Sequence, residues 1–250
     1  MTPGRYVLRA RGDDWEVPQF AVLPVTVSGG DVEGLNIVLS PGATVSGTAT
    51  FQRSQASTPD VSQFRVSAPS ADEGSFGSQQ NARIDSSGRF MLDGVPVGAH
   101  WIRTQTPRGW TLKSVTVDGR DVTDVPVELR SGQRLSAVAM TFTDRVSEIS
   151  GSVTDQQGAA LTDFTMLAFP TDTTLWHPLS RHIMTARPDQ NGRYQLRGLP
   201  PGEYFLTAVD PTESGEWFEP AYLDEHRGNA IRVTVAEGDV KTQDLRLATQ

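Results

Sequence analysis

At 250 residues with a formal net charge of −8, the chain has room for one or two domains and lacks the basic surplus that nucleic acid or an anionic membrane selects. It has no cysteine, which excludes a disulfide framework and a thiolate metal site. Hydrophobic residues make up 37% and charged residues 21%, and 23 glycines and 16 prolines supply many turns without the excess of a collagenous or disordered chain. No run approaches the roughly 18 consecutive apolar residues of a membrane helix.

In chain order, Met1-Thr2-Pro3-Gly4 leads directly into a strand pattern. No signal peptide is expected, and the sequence reads as starting in mid-domain. Residues 1–41 are expected to be the C-terminal half of a truncated preceding repeat. They hold strands over Arg5–Ala10 and Gln19–Ser28, the second interrupted at Pro24. The run from Gly30 to Leu39 matches Gly238 to Leu247 at an offset of 208 positions, and the strands that should precede residue 1 are absent.

Residues 42–143 are expected to form a first full repeat. Thr44–Phe51 opens it, Phe64–Ala68 follows, and Ser70–Gln80 has the Ser, Gly and Gln content of a loop. Trp110–Val117 is a strand, Asp118-Gly119 a hairpin turn, and Leu135–Phe142 the last strand. Residues 144–250 are expected to form the second full repeat. Ile149–Gly158 is its opening strand and turn, with further strands at Phe164–Phe169, Arg181–Arg187 and Ile231–Val235. Glu216–Glu225 has the pattern of a single helical turn.

Both repeats are built around one stretch. Asp189, Gly192, Tyr194, Leu196, Gly198, Pro200 and Gly202 recur 104 positions earlier as Asp85, Gly88, Phe90, Leu92, Gly94, Pro96 and Gly98. A shortened copy, Pro3-Gly4-Arg5-Tyr6, opens the chain. Asp-x-x-Gly is a tight turn, because Asp bonds the backbone two residues on and Gly takes positive φ at no steric cost. Tyr194 and Leu196 alternate with polar residues, so one face is buried. Gly198–Gly202 re-aims the chain, and Tyr204 (His100 in the first copy) stands where a β-sandwich places a tyrosine corner. Short strands with turns every 8–12 residues, in units of about 100 residues, make a sandwich.

Ile149-x-Gly151-x-Val153-x-Asp155-x-x-Gly158, followed by the Asp189–Tyr204 stretch, resembles the carboxypeptidase regulatory-like domain. The resemblance covers both repeats and, weakly, residues 1–40. It implies an all-β chain of tandem seven-stranded antiparallel β-sandwiches of prealbumin or Ig-like type, grouped by shape with carbohydrate-binding-like modules. In that family such domains follow peptidase domains, precede outer-membrane receptors, or form arrays in large bacterial secreted proteins. The resemblance therefore implies an extracellular, periplasmic or cell-surface location. The first repeat departs from the pattern at Val97 and His100, both tolerable in the fold.

Little in the sequence carries chemistry. His100, His177, His182 and His226 show no metal-ligand spacing, and His177 and His182 are expected to be exposed loop residues. Glu73-Gly74-Ser75-Phe76-Gly77 is one residue short of a nucleophile elbow. Asp189-Gln190-Asn191-Gly192 opens like a calcium loop but lacks the later acidic ligands. Arg11-Gly12-Asp13 matches an adhesion tripeptide only by spelling. No catalytic residue, metal site or cofactor is expected.

The reading is a non-catalytic spacer or protein-interaction module of a secreted or surface protein, with the neighbouring domains of a longer chain as its partners. The alternative is a carbohydrate-binding module that stacks a neutral glycan on Trp176, Trp217 and Tyr222, whose rings suit surfaces that are apolar but partly wet. A further alternative is an accessory domain of a larger enzyme or outer-membrane receptor. The bland counterpart to the glycan reading is that these rings fill the ends of the sandwich. Trp217 would then act as a core plug.

Overall fold

The structure, a computed structural model, describes residues 2–14, 17–54, 59–72, 81–211 and 215–246. The Glu73–Gly77 comparison and most of the Ser70–Gln80 loop lie outside the described residues. The chain is all-β and forms two units: Met1–Gln52 with Ser57–Arg108 and Leu112–Phe142, and Arg53–Ala56 with Gly109–Thr111 and Thr143–Gln250.

The strands of the first unit are β1 (Gly4–Arg11), β2 (Gln19–Val27), β3 (Ser40–Pro41), β4 (Ala43–Gln52), β5 (Arg65–Ser67), β6 (Asn81–Arg83), β7 (Arg89–Val95), β8 (Gly98–His100), β9 (Arg103–Gln105), β10 (Thr111–Val117), β11 (Arg120–Asp121), β12 (Val127–Leu129) and β13 (Arg134–Thr143). They make sheets ordered β1-β2-β3, β11-β10-β13-β4-β7, β6-β5-β9 and β12-β8. Strand β7 shows why period-2 sequence makes a half-buried strand: Phe90 and Leu92 are buried while Met91 between them points out. Phe51, Phe64 and Phe142 meet as a ring cluster with centroids 4.8–5.4 Å apart. Asp118 and Gly119 both have positive φ, 49° and 78°, and join β10 to β11 in the two-residue hairpin that Asp-Gly favours.

The second unit contains β14 (Glu148–Thr154), β15 (Thr165–Pro170), β16 (Met184–Ala186), β17 (Arg193–Arg197), β18 (Gly202–Val209), helix α1 (Pro220–His226), β19 (Ile231–Val235), β20 (Val240–Thr242) and β21 (Leu245–Arg246). Sheet β17-β14-β20, with β21 also on β14, faces sheet β16-β15-β18-β19. Between them lies a core of Ile149, Val153, Met166, Ala168, Tyr194, Leu196, Tyr204 and Leu206, among others. Alternation sends Leu167 and Phe169 of β15 to the other face, where a second cluster buries them. Strand β15 is therefore buried along its whole length.

One pairing recurs three times. Tyr204 stands opposite Val233, His100 opposite Val127, and Tyr6 opposite Val25, each two residues after a glycine of the repeated stretch.

Four expectations need correction. The sheets are not wholly antiparallel: β14 pairs in parallel with β20 and β21, because the last strand returns beside the opening one in the same direction. Residues 31–39 form no strand, although their sequence matches 239–247. Arg181–Arg187 yields only Met184–Ala186. Glu216–Glu225 is longer than one turn: a 3-10 turn at Glu216–Phe218 precedes α1, and another follows at Arg227–Asn229. Pro at the first position of α1 suits a helix start, where its missing N–H has no partner to lose.

Candidate functional site

The repeated stretch uses its polar groups on its own backbone. Asp85 Oδ1 accepts from Ser87 N (2.8 Å), Ser87 Oγ (2.7 Å) and Arg89 N (2.9 Å). Asp189 Oδ1 accepts from Asn191 N (2.8 Å) and Arg193 N (3.0 Å). A third turn of the same build sits after β14, where Asp155 Oδ1 accepts from Gln157 N (2.9 Å) and Ala159 N (2.8 Å). Gly88, Gly158 and Gly192 close these turns at positive φ. The oxygen that a calcium loop would offer from Asp189 is thus engaged by two backbone donors. Among the described residues no three His, Cys, Asp or Glu side chains are grouped to hold a metal.

Behind the turn stands the tyrosine corner. Tyr204 Oη donates to Pro200 O at 2.7 Å, and the hydroxyl is also 2.9 Å from His182 Nδ1. A phenol has one proton, already given to Pro200, so His182 donates from Nδ1 to the Tyr204 oxygen. His182 is buried, with its ring near-parallel to Tyr204, and so is not the exposed loop residue expected. Its Nδ1 gives the buried Tyr204 hydroxyl a second polar partner beside Pro200 O. The first copy does not close this local corner: His100 Nδ1 lies 2.8 Å from the carbonyl oxygen of Ala68, 32 positions upstream, instead of reaching four residues back. At the chain start Tyr6 Oη donates to Thr2 O at 2.7 Å, the same four-residue reach as Tyr204 to Pro200.

The opening strands carry the closest packing. A Cβ on Gly151 would overlap the carbonyl oxygen of Gln243 and stand 2.7 Å from its carbon. A Cβ on Gly47, 104 positions earlier, would overlap that of Val138 in the same way, again 2.7 Å from the carbon. Around Gln243 the strand is pinned from three sides. Gln243 N donates to Ser150 O at 2.8 Å, Tyr194 Oη donates to Gln243 O at 2.5 Å, and Asp244 Oδ1 accepts from Ser152 N at 2.8 Å. Burial, helped by the Asp244 charge, pushes the Tyr194 hydroxyl far above the usual phenol value.

The three aromatic residues expected to bind sugar fall together, but in unequal positions. Trp176 is only 8% exposed; it meets Phe169 edge-on at 5.7 Å, and its Nε1 donates to Pro170 O at 2.8 Å. It offers no free face. Trp217 and Tyr222 are half-buried and pack against the cluster of Leu167, Phe169, Trp176, Ile183 and Leu223. Tyr222 also meets the His226 ring at 4.4 Å and 61°. These rings form the layer that covers the outer face of β15.

The profile of the carboxypeptidase regulatory-like domain matches residues 148–248. Residues 148–248 are a carboxypeptidase regulatory-like domain. No curated protein matches the chain. Among solved structures, the Bacillus anthracis TIE protein is similar at 12% identity and TM-score 0.28, over 98% of this chain and 43% of that one, so the chain spans less than half its length. The shaft pilin SpaA of Lactobacillus rhamnosus GG is similar at 9% identity and TM-score 0.30, over 83% of this chain and 98% of that one. The dioxygenase domain of a dioxygenase carbohydrate-binding protein fusion from Streptomyces sp. SirexAA-E is similar at 16% identity and TM-score 0.26, over 42% of this chain and 80% of that one. At such TM-scores none of them lends its role to this chain.

Within the carboxypeptidase regulatory-like domain the turn aspartates also set a pH response. Asp189 is held below its ordinary value of 3.8 chiefly by the Arg193 and Asn191 N–H groups, and Asp244 chiefly by that of Ser152. In the first unit Asp85 is lowered chiefly by the Ser87 hydroxyl. A carboxyl whose folded pKa is depressed contributes stability above its unfolded value and loses it as pH falls through the folded one. Urea midpoints should therefore decline as pH drops below 3.8, and the decline should be shallower in Asp85→Asn/Asp189→Asn. An unchanged slope in that variant would show that these turns do not carry the acid response.

Proposed function

We propose that this chain is a non-catalytic β-sandwich module of a secreted or surface protein, acting as a structural spacer or protein-interaction domain. One observation carries the reading: the side chains that could have formed a site are engaged in holding their own fold. The turn aspartates bond backbone N–H groups, the corner tyrosines bond backbone carbonyls, and Trp176 bonds Pro170 O. The fold by itself supports many roles, so the argument rests on these contacts.

The second reading, a carbohydrate-binding module, is favoured only by the half-exposure of Trp217 and Tyr222. The acidic balance would suit a neutral glycan. Calorimetric titration of neutral oligosaccharides into the wild type and Trp217→Ala separates the two. No heat of binding is expected in either protein. Saturable binding by the wild type that Trp217→Ala abolishes would overturn the spacer reading.

A further inference from the structure

The sheets that hold the two opening strands are built alike and charged differently. Strand β4 meets β7 with Thr48 opposite Arg89, Gly47 opposite Phe90 and Ser46 opposite Met91. Strand β14 meets β17 in the same register 104 positions on, with Ser152 opposite Arg193, Gly151 opposite Tyr194 and Ser150 opposite Gln195. The strand on the other side corresponds too, because the Val138 and Gln243 carbonyls press on Gly47 and Gly151. The residues that follow those two, Ala139 and Asp244, are both exposed.

In the carboxypeptidase regulatory-like domain this face carries its own acid. Asp244 Oδ1 accepts from Ser152 N at 2.8 Å and from Ser152 Oγ at 2.9 Å. The N–H groups of Ser152 and Arg193 are the main cause holding Asp244 and Asp189 low, and the Arg193 charge helps at both. Gln195 and Arg197 are both bonded to Glu148, so the face is closed. In the first unit Ala139 stands where Asp244 does, and Met91 where Gln195 does. A groove of about 550 Å³ lies there, lined by Ser46, Thr48, Arg83, Asp85, Arg89 and Met91 among others. Among the described residues neither Arg83 nor Arg89 forms an ion pair. The Asp85 Oδ1 beside them is already taken by three donors. Two arginines against one aspartate leave a positive groove on a chain whose net charge is −8.

We propose that the groove over Ser46, Thr48, Arg83 and Arg89 binds an acidic peptide through one carboxylate side chain, seated as Asp244 is seated in the other unit. Asp244 shows the chemistry: an aspartyl side chain held by a strand hydroxyl and N–H and by the charge of an arginine on the next strand. This names a ligand for the protein-interaction half of the function proposed above and rests on that half. Arginine meets a carboxylate with paired N–H donors, and such charge-assisted bonds are roughly twice as strong as neutral ones. Met91, 60% exposed, gives the groove an adaptable apolar wall for the rest of the peptide.

The probe is a capped peptide with the sequence of residues 242–245, Thr-Gln-Asp-Leu, titrated into the isotope-labelled full chain and followed by amide NMR shifts. Saturable shifts clustered on residues 46–48 and 83–91 are expected. They should weaken as salt is raised, because the groove is open to solvent. The Asp244→Asn peptide should bind about tenfold more weakly or worse, and so should the Arg89→Gln chain. Ala139→Asp builds in the carboxylate that the other unit carries, so it should abolish peptide binding with its unfolding curve unchanged. Absence of saturable binding, equal affinity for the Asp244→Asn peptide, or full affinity in Arg89→Gln or Ala139→Asp would overturn the proposal. So would a preference for glucuronic acid over the peptide, because the groove would then take a sugar acid. A heat of neutral-glycan binding lost in Trp217→Ala would report the aromatic cluster of the second unit instead, so failure of the spacer reading and failure of this one are told apart.

Discussion

Gly151→Val is expected to leave the second unit without a cooperative unfolding transition. The new side chain would have to occupy the position of the Gln243 carbonyl. That carbonyl cannot retreat without breaking the Gln243–Ser150, Tyr194–Gln243 and Asp244–Ser152 hydrogen bonds together. Overpacking of a core costs about 1–3 kcal/mol where side chains can shift, and here the obstacle is backbone. Adding the Tyr194 hydroxyl left without its partner, at about 1–3 kcal/mol, to the upper end of that range brings the cost to about 4–6 kcal/mol. That approaches the whole stability of a typical domain, roughly 5–15 kcal/mol. Gly158→Ala is the control. It has positive φ but open space around its Cβ position, so its cost should be about 1 kcal/mol. Urea unfolding followed by near-ultraviolet circular dichroism checks both. A Gly151→Val protein that unfolds like the wild type would mean that the close approach of the last strand is not a feature of the fold.

Trp176→Ala is expected to cost about 3–5 kcal/mol, the range for truncating a core tryptophan. The indole fills the layer between β15 and helix α1, meets Phe169 edge-on, and satisfies Pro170 O. Removing it leaves a cavity and an unpaired carbonyl at once. Trp217→Ala should cost less, because the ring is half-exposed and packs only at the margin of the same cluster. The order of these two effects is the discriminating result. If Trp217→Ala proves the more damaging, then Trp217 is the plug that the sequence alone suggested, and the outer layer is held from its other side. Phe218 and Leu223 would then be the next positions to truncate.

What the sequence determined by itself was whatever depends on a few neighbouring residues. The Asp85 and Asp189 turns, the Asp118-Gly119 hairpin and the alternation of Phe90 with Leu92 and Tyr194 with Leu196 were all legible. Asp-to-N–H bonds within four residues and positive φ at glycine need no distant partner. The 104-position period and the Tyr204 corner were legible for a related reason: one local solution is used repeatedly. What only the tertiary structure decided depends on groups far apart in the chain. Gly47 and Gly151 looked like ordinary strand glycines until Val138 and Gln243, about 90 residues downstream of each, were seen against them. His182 passed for a loop residue until Tyr204 supplied its partner. Trp176 passed for an exposed platform until helix α1 brought Leu223 over the outer face of β15. Residues 31–39 make the point most directly. They carry nearly the same strand sequence as 239–247 and remain a coil, because a strand is a property of two segments and its hydrogen bonds belong to the pair.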